Sequence, residues 1–198
     1  MIIDQARELA QCNVNSSLIS GAALPDQVFK DGDLCFRFFQ SDRMFSSSFI
    51  DIISEFISIE QSTSVCLLNT TRANSSAYGN FSAIFIESGM TAAQYDAELR
   101  RGGPAEGWLF SMDHYGCASD IGRWIIYCEK DNDVAVVALR GWKTPETFSS
   151  PLGRLGAEAI DSLIEKGPSA PFPFSNLVPN WRGKLSKLYG GQSTLRGP

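Results

Sequence analysis

His114 is the only histidine among the 198 residues, so any imidazole chemistry must run through it. It lies in SMDHYGCASD, directly after Asp113 and three residues before Cys117. A thiol beside an imidazole can act as nucleophile and base, and a serine triad would need the same ring. On an extended or looped backbone, however, a three-residue spacing does not bring the two groups together. No G-x-S-x-G elbow is present either. A structural zinc site would take most of its ligands from cysteine, and the chain has no C-x-x-C pair. Neither phosphate-binding glycine pattern, G-x-x-x-x-G-K-[ST] or G-x-G-x-x-G, occurs. RGGPAEG is a loop with a turn, since no helix start follows it. Carboxylate pairs for glycoside hydrolysis have no spacing signature that would reveal them. The expectation is a protein without catalytic residues, cofactor or metal. The alternative is a small cytoplasmic enzyme using His114 with Asp113 or Cys117.

The second concentration of reactive groups is acidic. Glu129, Asp131 and Asp133 punctuate GRWIIYCEKDNDVAVVALR. Carboxylates at one place could hold a hard cation, meet a basic partner or solvate a turn, and charged hairpin turns are common. A calcium loop is excluded, because Gly and Glu do not fall at its sixth and twelfth positions after Asp131. If the three carboxylates project from a turn at the end of a sheet, they are candidates for contact with a partner.

The flanking runs fix where that turn lies. In GRWIIYCE, Trp124, Ile126 and Cys128 point one way and Ile125 and Tyr127 the other. In DVAVVALR both faces are apolar again. A half-exposed strand alternates apolar with polar residues, so this hairpin belongs inside a sheet covered on both sides. Lys130-Asp131-Asn132 suits the reversal.

Other elements are expected around it. Apolar residues at helical spacing give a short amphipathic helix at the N-terminus. NVNSSLISGAALPDQ is loop, and Leu34–Phe39 is a strand. Phe49, Ile50, Ile53, Phe56 and Ile57 share one face of a helix. Ser64–Asn69 and Phe81–Glu87 are strands. Thr91 and Gln94 have capping-box spacing at the start of a helix that Gly102 can stop. GWLFSM is a strand, and Leu152–Lys166 is one helix with Leu155, Ala159, Leu163 and Ile164 on a face. Strands and helices mix without strict alternation. The fold class expected is therefore α+β: a single domain over 1–179 with a mixed, largely antiparallel sheet and flanking helices, followed by a basic tail over 180–198.

Composition narrows the partners. With 43% hydrophobic and 20% charged residues, the chain is an ordinary globule, and no run approaches a membrane span. No basic start leads into an apolar stretch, and several of the five cysteines lie in apolar runs. A cytoplasmic protein with reduced core thiols is expected. The net charge is −5. Residues 180–198 hold Arg182, Lys184, Lys187 and Arg196 and no acid, which leaves the body at −9. Such a body repels phosphate backbones and attracts a basic protein.

The hairpin residues Gly122–Tyr127, Glu129 and Asp133–Ala138 resemble the late sheet hairpin of immunity proteins from bacterial polymorphic toxin systems, such as contact-dependent growth inhibition. The resemblance covers about one tenth of the chain. It implies a function without catalysis. Such proteins bind the toxin domain made by the same cell and block its active site or substrate groove. A nuclease toxin needs a basic surface, which an acidic inhibitor complements. The partner expected is a cognate toxin domain, basic by this complementarity, with no direct nucleic acid and no membrane.

Overall fold

A computed structural model describes residues 2–30, 32–73, 82–141, 144–169 and 179–190. Its centre is a six-stranded antiparallel sheet in the order β1-β6-β5-β4-β2-β3. The strands are β1 (Leu34–Gln40), β2 (Ser64–Asn69), β3 (Ala83–Glu87), β4 (His114–Ser119), β5 (Trp124–Glu129) and β6 (Val134–Arg140). The hairpin β5–β6 is adjacent, antiparallel and interior, with Trp124 opposite Leu139 and Glu129 opposite Val134. The fold is α+β.

Strand alternation sorts the side chains into two cores. Trp124, Ile126, Cys128, Tyr115, Cys117, Val137 and Leu139 meet α2 (Phe49–Glu60), α4 (Ala92–Arg100) and α7 (Ser149–Leu155). Ile125, Tyr127, Ala118, Val134, Val136 and Ala138 meet α1 (Ile2–Ser17), α8 (Ile160–Lys166) and α9 (Pro179–Tyr189). Short helices α3 (Thr70–Ala73), α5 (Gly103–Glu106) and α6 (Thr144–Thr147) connect them. Thr91 and Gln94 form the expected capping box at the start of α4.

Several local expectations change. GWLFSM is not a strand: residues 108–110 form a turn, and the strand begins at His114. The backbone carbonyls of Trp108 and Leu109 accept hydrogen bonds from the Lys130 ammonium at 2.7 Å each, instead of joining a ladder. HYGCAS was not expected as a strand because it is short, small-residued and poor in β-branched residues. Its Gly116 has a reason. A Cβ there would stand 2.5 Å from Val14 Cγ1 and 2.8 Å from Leu18 Cδ1, so only glycine lets α1 lie this close to β4.

The single helix expected over Leu152–Lys166 is two helices. Gly156 adopts left-handed geometry, φ 68°. Phe38 and Glu158 then exchange backbone hydrogen bonds. Leu155 packs in one core and Leu163 in the other, so the chain turns around the β1 edge here. Helix α1 runs on to Ser17, into what the sequence suggests is loop. Within the expected basic tail, residues 180–189 are helical. Leu185 and Tyr189 are buried, and Tyr189 accepts a hydrogen bond from the Val28 amide. Arg196 lies outside the described residues, as do Phe81 and most of TRANSSAYGN.

Four of the cysteines are buried and Cys12 is exposed; all five are free thiols. Burial pushes the Cys66 thiol up to about 12 and the Cys117 and Cys128 thiols well above their ordinary range. Among the described residues no helix is long and apolar enough to cross a membrane.

Candidate functional site

The reactive groups gather where the β5–β6 turn meets the start of β4. His114 stands opposite Glu129 in the strand register. By alternation His114, Tyr127 and Glu129 all face the α1 side of the sheet. Between His114, Tyr127 and the end of α1 lies a cleft of about 380 Å³. Its walls are apolar at Val14, Leu18, Ile19 and Met112 and polar at Asn15, Thr70, Asp113 and His114.

Glu129 is fully buried, unlike its two acidic neighbours. Its Oε1 accepts hydrogen bonds from the Leu24 amide and from the Tyr127 hydroxyl at 2.9 Å. Its Oε2 accepts from Asn132 Nδ2 at 2.7 Å. The expected trio of projecting carboxylates is therefore divided. Glu129 is the last residue of β5, and its parity with Tyr127 carries it inward. It cannot touch a partner surface in this conformation. Asp131 and Asp133 are exposed on the turn. The left-handed residue of that turn is Asp133, φ 56°.

Tyr127 links the group. Besides Glu129, its hydroxyl contacts the Ala22 carbonyl at 3.1 Å and His114 Nδ1 at 3.1 Å. Burial first, and then the Glu129 charge, push the phenol far above its ordinary range, so it stays a neutral donor. The other ring nitrogen, His114 Nε2, stands 3.5 Å from Asp131 Oδ1.

The partners that sequence reasoning offered His114 are otherwise engaged. Asp113 Oδ2 accepts from Asn69 Nδ2 at 2.8 Å and from Arg72 Nε at 3.0 Å. Cys117 belongs to the core on the opposite face of the sheet. The ring instead meets Tyr127 and Asp131, two residues that only strand pairing brings near it.

Lys130 joins the turn to the preceding loop. Its ammonium takes the Trp108 and Leu109 carbonyls and lies 4.6 Å from the Phe45 ring centroid. Desolvation lowers its pKa from the ordinary lysine value. This brace holds the 108–112 loop beside the acidic turn. Phe110 and Met112 on that loop are 53% and 68% exposed, the two most exposed large apolar side chains among the described residues. Sequence reasoning missed them because it placed GWLFSM within the sheet.

The surface presents two exposed apolar side chains, an acidic turn and a cleft with both polar and apolar walls. No protein-family model matches the chain, nor does any curated protein or solved structure.

Proposed function

We propose that the protein is an immunity protein that binds a cognate bacterial toxin domain and neutralises it by stoichiometric inhibition. The observation that carries this reading is the joint surface of the 108–112 loop and the 130–133 turn. Phe110 and Met112 are exposed on the loop, Asp131 and Asp133 are exposed on the turn, and Lys130 joins the two segments through the Trp108 and Leu109 carbonyls. Exposed large apolar side chains on a braced loop suit the centre of an interface, where a few anchors contribute most of the affinity. Acidic residues around them steer a basic partner and reject an acidic one. The body charge of −9 adds a long-range field of the same sign. The partner is a basic toxin domain, such as a nuclease. Inhibition follows from covering the groove with which that domain holds its substrate, and it needs no chemistry from the inhibitor.

The test pairs the protein with the toxin domain encoded beside it. Wild type should form a one-to-one complex and protect cells that express the toxin domain. Its association rate should fall as salt rises. Reversing charge in a folded Asp131→Lys/Asp133→Lys variant should slow association, and Met112→Ala should speed dissociation. Unchanged binding by all of these variants would move the interface elsewhere on the protein. Failure of wild type to bind or to protect would remove the immunity reading.

A further inference from the structure

We propose that His114, Glu129 and Asp131 form a site for one divalent metal ion of the zinc class beside the cleft that His114 lines. The proposal goes beyond partner binding and does not depend on it. One donor atom from each residue can be chosen so that all three lie within 4.8 Å of one another. Donors around a single zinc ion, each about 2.0–2.2 Å from it, stand roughly 3–4 Å apart. His114 Nε2 and Asp131 Oδ1, 3.5 Å apart, already stand at that spacing.

Two further features point to a cation here. The first is proton accounting. Tyr127 has one hydroxyl proton and three polar neighbours: Glu129 Oε1, Ala22 O and His114 Nδ1. The first two can only accept. With the phenol proton given to either of them, His114 must donate its Nδ1 proton to the phenol oxygen. That leaves Nε2 directed at Asp131 Oδ1, 3.5 Å away, where a cation, a metal ion or a second ring proton, joins the two atoms. The second feature is Glu129 itself. It is fully buried, and its hydrogen-bond donors, the Leu24 amide, Tyr127 and Asn132, are all neutral. The Lys130 ammonium is directed instead to the Trp108 and Leu109 carbonyls. A buried carboxylate without an opposing charge is costly, and a metal ion would supply that charge.

The donor set selects the metal. One imidazole nitrogen and two carboxylate oxygens suit zinc and its borderline neighbours, whereas magnesium and calcium prefer oxygen alone. Tyr127 would act as a positioning residue. It fixes the tautomer and angle of His114 and one oxygen of Glu129, as outer hydrogen bonds do around metal-binding histidines. Water would complete the coordination.

Because His114 is the only histidine, its ring signals report the site without ambiguity. The experiment uses tag-free full chain carrying Cys12→Ser, which removes the exposed thiol as a competing ligand. Zinc chloride is titrated by calorimetry and by NMR of the His114 ring. The expected result is one equivalent bound, with the ring resonances shifting and saturating at that ratio. Asp131→Asn should weaken binding at least about tenfold, while Asp133→Asn should leave it unchanged. Magnesium should not move the ring signals. Ring resonances that stay in place at millimolar zinc would overturn the proposal and leave a histidine–aspartate ion pair. Zinc binding of equal strength in the Asp131→Asn variant would overturn it too.

Discussion

The Tyr127 hydroxyl lies 2.9 Å from Glu129 Oε1, and the two residues are neighbours on one face of the same strand. This pair places a charge inside the sheet's second core and makes the end of β5 a structural anchor. Glu129→Ala would leave the Leu24 amide, Tyr127 and Asn132 without their acceptor. We expect a loss of about 2–5 kcal/mol in denaturant melts. Asp131→Ala should stay within about 0.5 kcal/mol of wild type, as exposed positions do, and Asp133→Ala should cost about 1 kcal/mol, because its left-handed φ of 56° disfavours alanine. Equal effects at the three sites would contradict the division between buried and exposed carboxylates.

Lys130 should control the neighbouring loop. Lys130→Met keeps the aliphatic stem and removes the donor shared by the Trp108 and Leu109 carbonyls. A loss of about 1–3 kcal/mol is expected. Hydrogen exchange should speed up at Leu109 and Phe110, whose amides bond to Leu99 and Gly107. Unaltered exchange there would show that the loop holds its shape without the lysine.

Gly116 should resist any side chain. The alanine Cβ would collide with Val14 and Leu18, so Gly116→Ala should cost about 1–3 kcal/mol by pushing α1 away from β4. Adding Val14→Ala should recover part of the loss. Additive costs in the double variant would place the strain elsewhere.

Glu60 gives the pH dependence. It is nearly buried at the end of α2, where its Oε1 accepts from the Arg123 amide at 2.7 Å. Desolvation raises its pKa above the ordinary 4.5, against the pull of its hydrogen bonds. Between 4.5 and that raised value the folded protein binds more protons than the unfolded chain. Stability from this group is therefore greatest below the window and falls as pH rises through it. Glu60→Gln keeps a carbonyl for Arg123 and removes the titration. Its stability should fall less than that of wild type between acid and neutral pH. Parallel curves for the two proteins would rule out Glu60 as the source.

Much of the fold was legible in local pattern. Apolar residues on both faces of Trp124–Cys128 and Val134–Leu139 require a central antiparallel hairpin, because only cover on both sides removes them from water. The helical spacing of Phe49–Ile57 and the Thr91–Gln94 capping box likewise depend on residues a few positions apart. The unexpected features depend on long-range contacts. GWLFSM has strand-like composition, yet the Lys130 ammonium, 21 residues from Leu109, takes its carbonyls and makes a loop of it. HYGCAS has weak strand propensity, yet ladders on both sides and the approach of α1 over Gly116 make it a central strand. In the candidate site, the sequence marks His114 and the acids after Tyr127 as titratable groups close in the chain. It cannot say that Glu129 is buried while Asp131 and Asp133 are exposed, or that His114 faces Tyr127 and not Cys117. Side-chain direction follows strand parity, but which residues stand opposite one another follows from β4–β5 register, a pairing between segments set by how the whole sheet closes over its two cores.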